Sequence, residues 1–436
     1  MTTTGGAKLR RGHIGIGAVA MTAALLLTSC GEGDDTPVLT WYINPDDGGQ
    51  QALAEKCTEE ADGAYRIQTS LLPNDAPSQR EQLARRLAAG DSSLDIMSLD
   101  PPFIPELAEA GFLAPVPDDV AERNTQDTLE GALAGATWND ELVTVPFWAN
   151  TQILWYRKSV AEEAGLDMSQ PVTWDEIIDA AIEQDKYLGV QGIRAESMTV
   201  WVNALIESQG ESVIVDPAAS AEELETNLDS EAGRNAAEIL GRIGAEGLGG
   251  PGIASMDENQ SMLLFQRDNG SFMVNWPFVW AATNAAAEEG SLDSSLTEDI
   301  GWAPYPQMDE DTPAAAPLGG INLGVGAESE HPDLAFQAIE CIVTPENQAE
   351  YFVTNGNPPS SASAFEDPRI EEDYPMADTI REALDGAAPR PQTPFYNEIS
   401  EVIQESFTPV SGVDPDSTPA EADRYITDVL RGERLL

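Results

Sequence analysis

The sequence predicts an α/β protein built as two lobes. Three observations predict it. Short apolar runs of strand length alternate with amphipathic helical stretches, the pattern of parallel βαβ units. A chain of 436 residues, 42% of them hydrophobic, is long enough to form two cores. Two stretches, the run 142–155 and the region flanked by 301–306 and 319–325, read as crossings that carry the chain between lobes.

The chain opens with a leader. Lys8, Arg10 and Arg11 form a positive n-region, and Ile14–Leu27 is an apolar run rich in Gly, Ala and Leu. That run is too short to span a bilayer comfortably and suits the core of a signal peptide. It ends in Leu27-Thr28-Ser29-Cys30, which resembles a bacterial lipobox: small residues admit the peptidase, and the cysteine thiol receives the lipid. Residues 1–29 are therefore expected to be a signal peptide, Cys30 the lipidated residue and 30–37 a polar tether. An ordinary signal peptide with a chance cysteine is the alternative. Arg10-Arg11 leaves both general and twin-arginine export open. No later segment approaches the apolar length needed to span a membrane.

The elements then follow in order. Val38–Ile43 reads as a buried strand, and Gly48-Gly49 begins a helix that runs through Cys57 and Glu60. Residues 65–71 are a second strand. The stretch 78–89 is a helix with Leu83, Leu87 and alanines on one face and Arg80, Arg85 and Arg86 largely on the other. Residues 94–99 are a third strand, with Asp100 at its carboxyl end and Pro101, Pro102 and Pro105 breaking the chain before a helix at 106–110. The run 142–155 reads as one extended strand. Thr173 and Glu176 form a capping box that opens a helix. Helices are expected at 198–209, 231–245 and 332–343, and a strand at 271–275 ahead of Trp276-Pro277-Phe278. The resulting division places 38–147 and 304–356 in the N-terminal lobe, and 148–303 and 357–436 in the C-terminal lobe.

Charge narrows the function. Basic residues number 22 against 76 acidic ones, a formal net charge of −54. Lys8, Arg10 and Arg11 precede the first acidic residue, so excision of the leader leaves a still more acidic protein. Nucleic-acid binding needs a basic surface that displaces counterions, and anionic lipid needs the same, so both are argued against. His13 lies in the leader, which leaves His331 as the one mature histidine. That excludes a multi-histidine metal site and argues against a Ser-His-Asp triad. No metal and no cofactor are expected. Cys57 and Cys341 are the remaining cysteines, and in an exported chain such a pair is most simply a disulfide.

Several pieces carry a resemblance. Leu94-Asp95-Ile96, Glu106-Leu107-Ala108, Val145-Pro146, the stretch 151–157, Thr173-Trp174-Asp175-Glu176 and Asn275-Trp276-Pro277-Phe278 occur in this order. The series resembles the extracellular solute-binding proteins of sugar ABC importers across essentially the whole mature chain. Gln82-Leu83-Ala84-Arg85-Arg86-Leu87, Leu99-Asp100, Asn150-Thr151-Gln152, the stretch 154–157, Val274–Phe278, Gly319–Leu323, Arg390-Pro391 and Thr393-Pro394 are similar, more narrowly, to the trehalose-binding lipoproteins of actinobacterial importers. Cys57 and Cys341 fall where that group places its pair. Trp148 and the loop 73–77 depart from its pattern. The resemblance implies a periplasmic-binding-protein-like fold of the maltose-binding type, with hinge strands and a ligand cleft between the lobes. It also implies a non-catalytic protein, expected as a monomer, that is held at the outer face of the membrane by its lipid. Such a protein would pass trehalose or a related α-linked glucose disaccharide to the permease subunits of an importer.

Sugar chemistry makes the same positions sensible. A disaccharide presents hydroxyls that both donate and accept, so its burial calls for planar polar side chains, with an aromatic ring over the less polar ring face. Asp100 stands where ligands collect in open α/β sheets; a capping aspartate is the alternative. Asn150 lies at the crossing, where a hinge hydrogen bond is the alternative. Glu258 follows a Gly-rich loop and is otherwise a surface charge. Trp276 is the favoured stacking platform, with Phe278 a second wall or simple packing. Gly320 lets backbone approach the sugar. Arg390 offers a fork donor to adjacent hydroxyls, or otherwise a salt bridge. Asn44 and Asp47, after the first strand, also come within reach of a cleft. The competing reading is a secreted glycoside hydrolase with Asp100 and Glu258 as its carboxylate pair. An adhesion module lacks the repeats and β-rich pattern it would need.

Overall fold

The structure, a computed structural model, describes residues 36–436. The expected signal peptide and Cys30 lie outside the described residues, as does most of the tether. In chain order the strands are β1 (Val38–Ile43), β2 (Arg66–Leu71), β3 (Ile96–Leu99), β4 (Thr137–Trp138), β5 (Glu141–Leu142) and β6 (Val145–Thr151). They continue with β7 (Ile153–Arg157), β8 (Tyr187–Gly189), β9 (Gly270–Asn275), β10 (Ile300–Ala303) and β11 (Leu318–Val325).

Two main sheets form the two lobes. The first runs β2-β1-β3-β11-β6 and the second β10-β7-β9-β8, while β4 and β5 make a small hairpin. In the first sheet β1 pairs in parallel with β2 and β3, as the βαβ pattern predicts, and β11 runs antiparallel to β3 and β6. In the second, β8 and β9 are parallel and β7 is antiparallel to both β9 and β10. Covered on both faces, β1 and β3 are apolar nearly throughout, which is why they read as continuous apolar runs rather than alternating ones.

The extended strand expected over 142–155 is instead three strands. β5 ends at Leu142, β6 stays in the first sheet through Thr151, and Gln152 alone separates it from β7 of the second sheet. Residues 148–151 therefore pair within the first sheet. The buried Gln152 amide is held by Gln191 at 3.4 Å. At Gln152 the chain exchanges hydrogen-bonding partners between two sheets, and a polar side chain with a fixed partner occupies the joint. Residues 304–317 carry the chain back from β10 to β11.

Each lobe has its own core. Trp41, Phe147, Ile321, Phe336 and Ile339 belong to the first, and Trp174, Trp201, Tyr305 and Ile403 to the second. A third cluster at the junction gathers Trp155, Met273, Leu318, Phe352 and Ile380. Thr173 caps the helix Trp174–Glu183 through a complete capping box with Glu176. Cys57, in the helix Gly49–Glu60, is bonded to Cys341, in the helix Pro332–Ile342, at a Cα separation of 5.9 Å. Among the described residues no helix is long and apolar enough to cross a membrane, and no group of three His, Cys, Asp or Glu residues is placed to hold a metal ion.

Candidate functional site

A cavity of about 350 Å³ opens between the lobes. From the first sheet it receives Asn44 after β1, Asp100 after β3, Trp148 and Asn150 on β6, and Gly319 and Gly320 on β11. The other lobe contributes Glu196, Glu258, Trp276, Phe278 and Arg390. Of the ligand candidates read from the sequence, Asp47 is the one that does not line it. Asp47 is exposed and borders a separate surface groove with Gly48 and Gly49. Its neighbour Asp46 turns inward instead, accepting the amides of Gly48 and Gln50 and the Tyr351 hydroxyl. Two successive aspartates lie at the start of a helix; the turn geometry sends one to the helix amides and the other to solvent.

Asp100 and Arg390 meet inside the cavity. Arg390 Nη2 donates to Asp100 Oδ1 at 2.5 Å, and Nη1 to Oδ2 at 3.4 Å. Asp100 makes no side-chain cap to the turn Pro101–Phe103, so its carboxylate is committed to the cleft and not to the backbone. The second partner of Arg390 is Glu196, which also accepts the Tyr396 hydroxyl at 2.6 Å. Arg390 is only 6% exposed. Burial opposes its charge, but Asp100 and Glu196 outweigh that and hold it protonated. Burial pushes the Asp100 carboxyl up to about 6; Arg390 pulls against that rise and Glu196 adds to it. Arg390 thus forms the salt bridge that stood as its alternative, and it lines the cavity.

Glu258 begins the helix Glu258–Phe265, whose cap is Asp257. It is half-buried, not a surface charge, and burial pushes its carboxyl up, with Asp257 and Glu196 adding to the rise. One side chain sets both Glu258 and Trp276. Asn275, at the end of β9, donates from Nδ2 to the Glu258 carbonyl at 2.9 Å and accepts the Trp276 amide on Oδ1, also at 2.9 Å. Ser261 and Gln191 complete this buried network. Buried amides that are fully partnered in this way hold neighbouring groups in one geometry.

Trp276 is half-buried and lies outside the apolar clusters, whereas Phe278 packs partly against the junction cluster. A Cβ at Gly319 would stand 3.0 Å from Trp276 Cζ3 and 3.1 Å from Cη2, so the indole lies directly on this glycine of the opposite sheet. Gly320 has φ +116° and a Cβ there would meet the Trp148 carbonyl oxygen at 2.3 Å; no other residue fits. Asn150 Oδ1 accepts the Thr151 amide at 3.0 Å, which fixes the side chain at the crossing.

The cleft is acidic. Among the described residues that line it, the charged ones are Asp100, Glu196, Glu258 and Arg390. Sequence reasoning missed Glu196 and Trp148. Glu196 sits before the apolar pattern of its helix begins, and its ion partner lies far along the chain, so no local signal marks it. Trp148 had a signal: it stands two residues from Asn150 on a strand, and such residues share a face.

Comparison with known proteins gives the family and the fold. The profile of the bacterial extracellular solute-binding protein family matches residues 50–349. A probable ABC transporter-binding protein of Deinococcus radiodurans is 26% identical over 280 residues, 61% of this chain and 63% of that protein. The sn-glycerol-3-phosphate-binding periplasmic protein UgpB of Escherichia coli is 26% identical over 263 residues, 58% of this chain and 57% of its own. This chain thus spans about three-fifths of the length of these relatives. The maltose-bound MalE3 of T. maritima superposes with a TM-score of 0.74 at 23% identity, covering 91% of this chain and 100% of that one. The fold is that of the maltose-binding type of periplasmic binding protein, and the chain belongs to the bacterial extracellular solute-binding protein family.

Proposed function

We propose that this protein is the substrate-binding lipoprotein of an ABC sugar importer. It takes trehalose or a closely related α-linked glucose disaccharide in the interlobe cleft and delivers it, uncut, to the membrane permease. The observation that carries this reading is that Asp100, Asn150, Glu258, Trp276 and Arg390, drawn from both lobes, line one cavity. Carboxylates and a carboxamide suit sugar hydroxyls, Arg390 fixes the Asp100 carboxylate among them, and the indole suits a sugar face. Ligand that bridges both lobes binds the closed arrangement more tightly, and that difference drives closure.

Electrostatics favour an uncharged ligand. The lining carries three carboxylates against one guanidinium, and Asp100 and Glu196 already occupy that guanidinium. A phosphate placed here would meet unbalanced negative charge in a partly desolvated site. This chain is accordingly assigned a ligand different from the glycerol phosphate named for its E. coli relative. The same ion pairing disfavours a hydrolase. A free nucleophile is needed there, and Asp100 is tied by two hydrogen bonds to Arg390.

Removal of residues 1–29 and acylation of Cys30 would place the protein as a lipid-anchored monomer at the outer face of the cell membrane. The functional test is a thermal-shift screen of disaccharides. Trehalose should raise the melting temperature by mass action, and prolonged incubation should release no glucose. Glucose release at an enzymatic rate, or no shift with any saccharide, would refute the reading.

A further inference from the structure

We propose that Trp148 is a second aromatic contact for the ligand and that, paired with Trp276, it makes the cleft select two-ring over one-ring saccharides. The inference rests on the reading of the cleft as a saccharide site and goes beyond it in naming a specificity-determining residue. Strand register places Trp148 at the cavity. β6 and β11 pair Asn150 with Gly319 and Trp148 with Ile321, and the next pair joins Pro146 to Asn322. Phe147 is the extra residue of a β-bulge, a device that re-aims side chains beside functional sites. Phe147 turns into the first core, against the rings of Trp41 and Tyr351. Trp148 is left beside Asn150 on the face that lines the cavity.

The two tryptophans then stand at related places on one floor. The Trp276 indole rests on Gly319, and the Trp148–Ile321 pair lies two residues further along the same strands, about 7 Å away. Trp148 is only partly buried, packing along one side against the first core. Its Nε1 makes no hydrogen bond, so the ring is placed by the bulge and by packing, not by its polar edge. A floor with aromatic surface at two successive positions offers apolar cover to two neighbouring rings. The volume of about 350 Å³ stands near the low end of the range for ligand pockets, roughly 300–1,000 Å³. That suits a short saccharide.

The test uses the mature chain labelled with 5-fluorotryptophan, with the Trp148 resonance assigned from Trp148→Phe. Addition of trehalose should move the resonances of both Trp148 and Trp276. Titration calorimetry with trehalose and glucose then compares wild type with Trp148→Leu, which keeps an apolar side chain without the ring. The ratio of trehalose to glucose affinity should fall about tenfold in Trp148→Leu, and Trp148→Phe should restore most of it. A trehalose-bound spectrum in which Trp276 moves and Trp148 stays still overturns the proposal alone, whether or not Trp148→Leu folds. An unchanged affinity ratio in a folded Trp148→Leu does the same. Wild-type protein that binds neither sugar overturns the saccharide reading and the proposal with it.

Discussion

Asp100 and Arg390 join the two sides of the cleft: a carboxylate at the carboxyl end of β3 receives both terminal nitrogens of a guanidinium whose Nη1 also donates to Glu196. Arg390 is the hub of this cluster. Its truncation leaves two carboxylates facing each other with no counter-charge.

Arg390→Ala should therefore destabilise the fold by about 3 kcal/mol at neutral pH, the cost typical of removing one partner from a buried ion pair. The loss should shrink on acidification. Burial already lifts the Asp100 carboxyl to about 6, and without the guanidinium it rises further. A carboxyl whose folded value is raised favours the folded state below its unfolded pKa and loses that contribution as pH climbs through the folded one. Urea unfolding at pH 5 and pH 7.5 checks this. An equal loss at both would contradict it.

Trp276→Ala should weaken trehalose binding at least tenfold while leaving the melting temperature close to wild type, because the indole lies outside the apolar clusters. Gly319→Val should act in the same direction. Its side chain would occupy the space where the indole rests. Calorimetric titration of each variant measures the effect, and wild-type affinity in both would remove Trp276 from the site.

Much of this site is legible in the sequence, for reasons that can be named. Asp100 follows a buried strand, Trp276 ends one abruptly before a proline, and Arg390 is conspicuous in so acidic a chain. Each signal is local. The unread parts are not. Glu196 acquires its role from Arg390 and Tyr396, each about two hundred residues away. The placement of Trp148 depends on a bulge that only the β6–β11 register reveals. Asp46 and Asp47 look alike until the turn assigns one to the helix amides. The same holds for the fold. Parallel strands and the capping box at Thr173 follow from local pattern. The break at Gln152 depends on which sheet each neighbour pairs with.

Glu207 gives a pH test outside the cleft. It lies at the end of the helix Glu196–Glu207, where burial pushes its carboxyl from 4.5 up to about 7, with Ser212 opposing. Its contribution to stability is fully present below about pH 4.5 and is lost progressively as pH rises towards 7. Glu207→Gln should flatten that part of the stability profile and make the protein more stable than wild type at pH 8. Melting temperatures taken between pH 4.5 and 8 test it; parallel profiles would refute it.

The Cys57–Cys341 bond closes a loop of 284 residues. Chain-entropy arguments place the stabilisation from so long a loop at up to about 5 kcal/mol. Cys57→Ala with Cys341→Ala should lower the urea midpoint clearly. An unchanged midpoint would mean that the first core, not the covalent link, holds these helices together.

The most direct measurement is a calorimetric titration of the mature protein with trehalose and, separately, with sn-glycerol 3-phosphate, followed by recovery of the sugar. Trehalose should saturate one site per chain and be recovered intact, and the phosphate should give no heat of binding. Binding of the phosphate without binding of any saccharide, or recovery of glucose in place of trehalose, would contradict the saccharide reading.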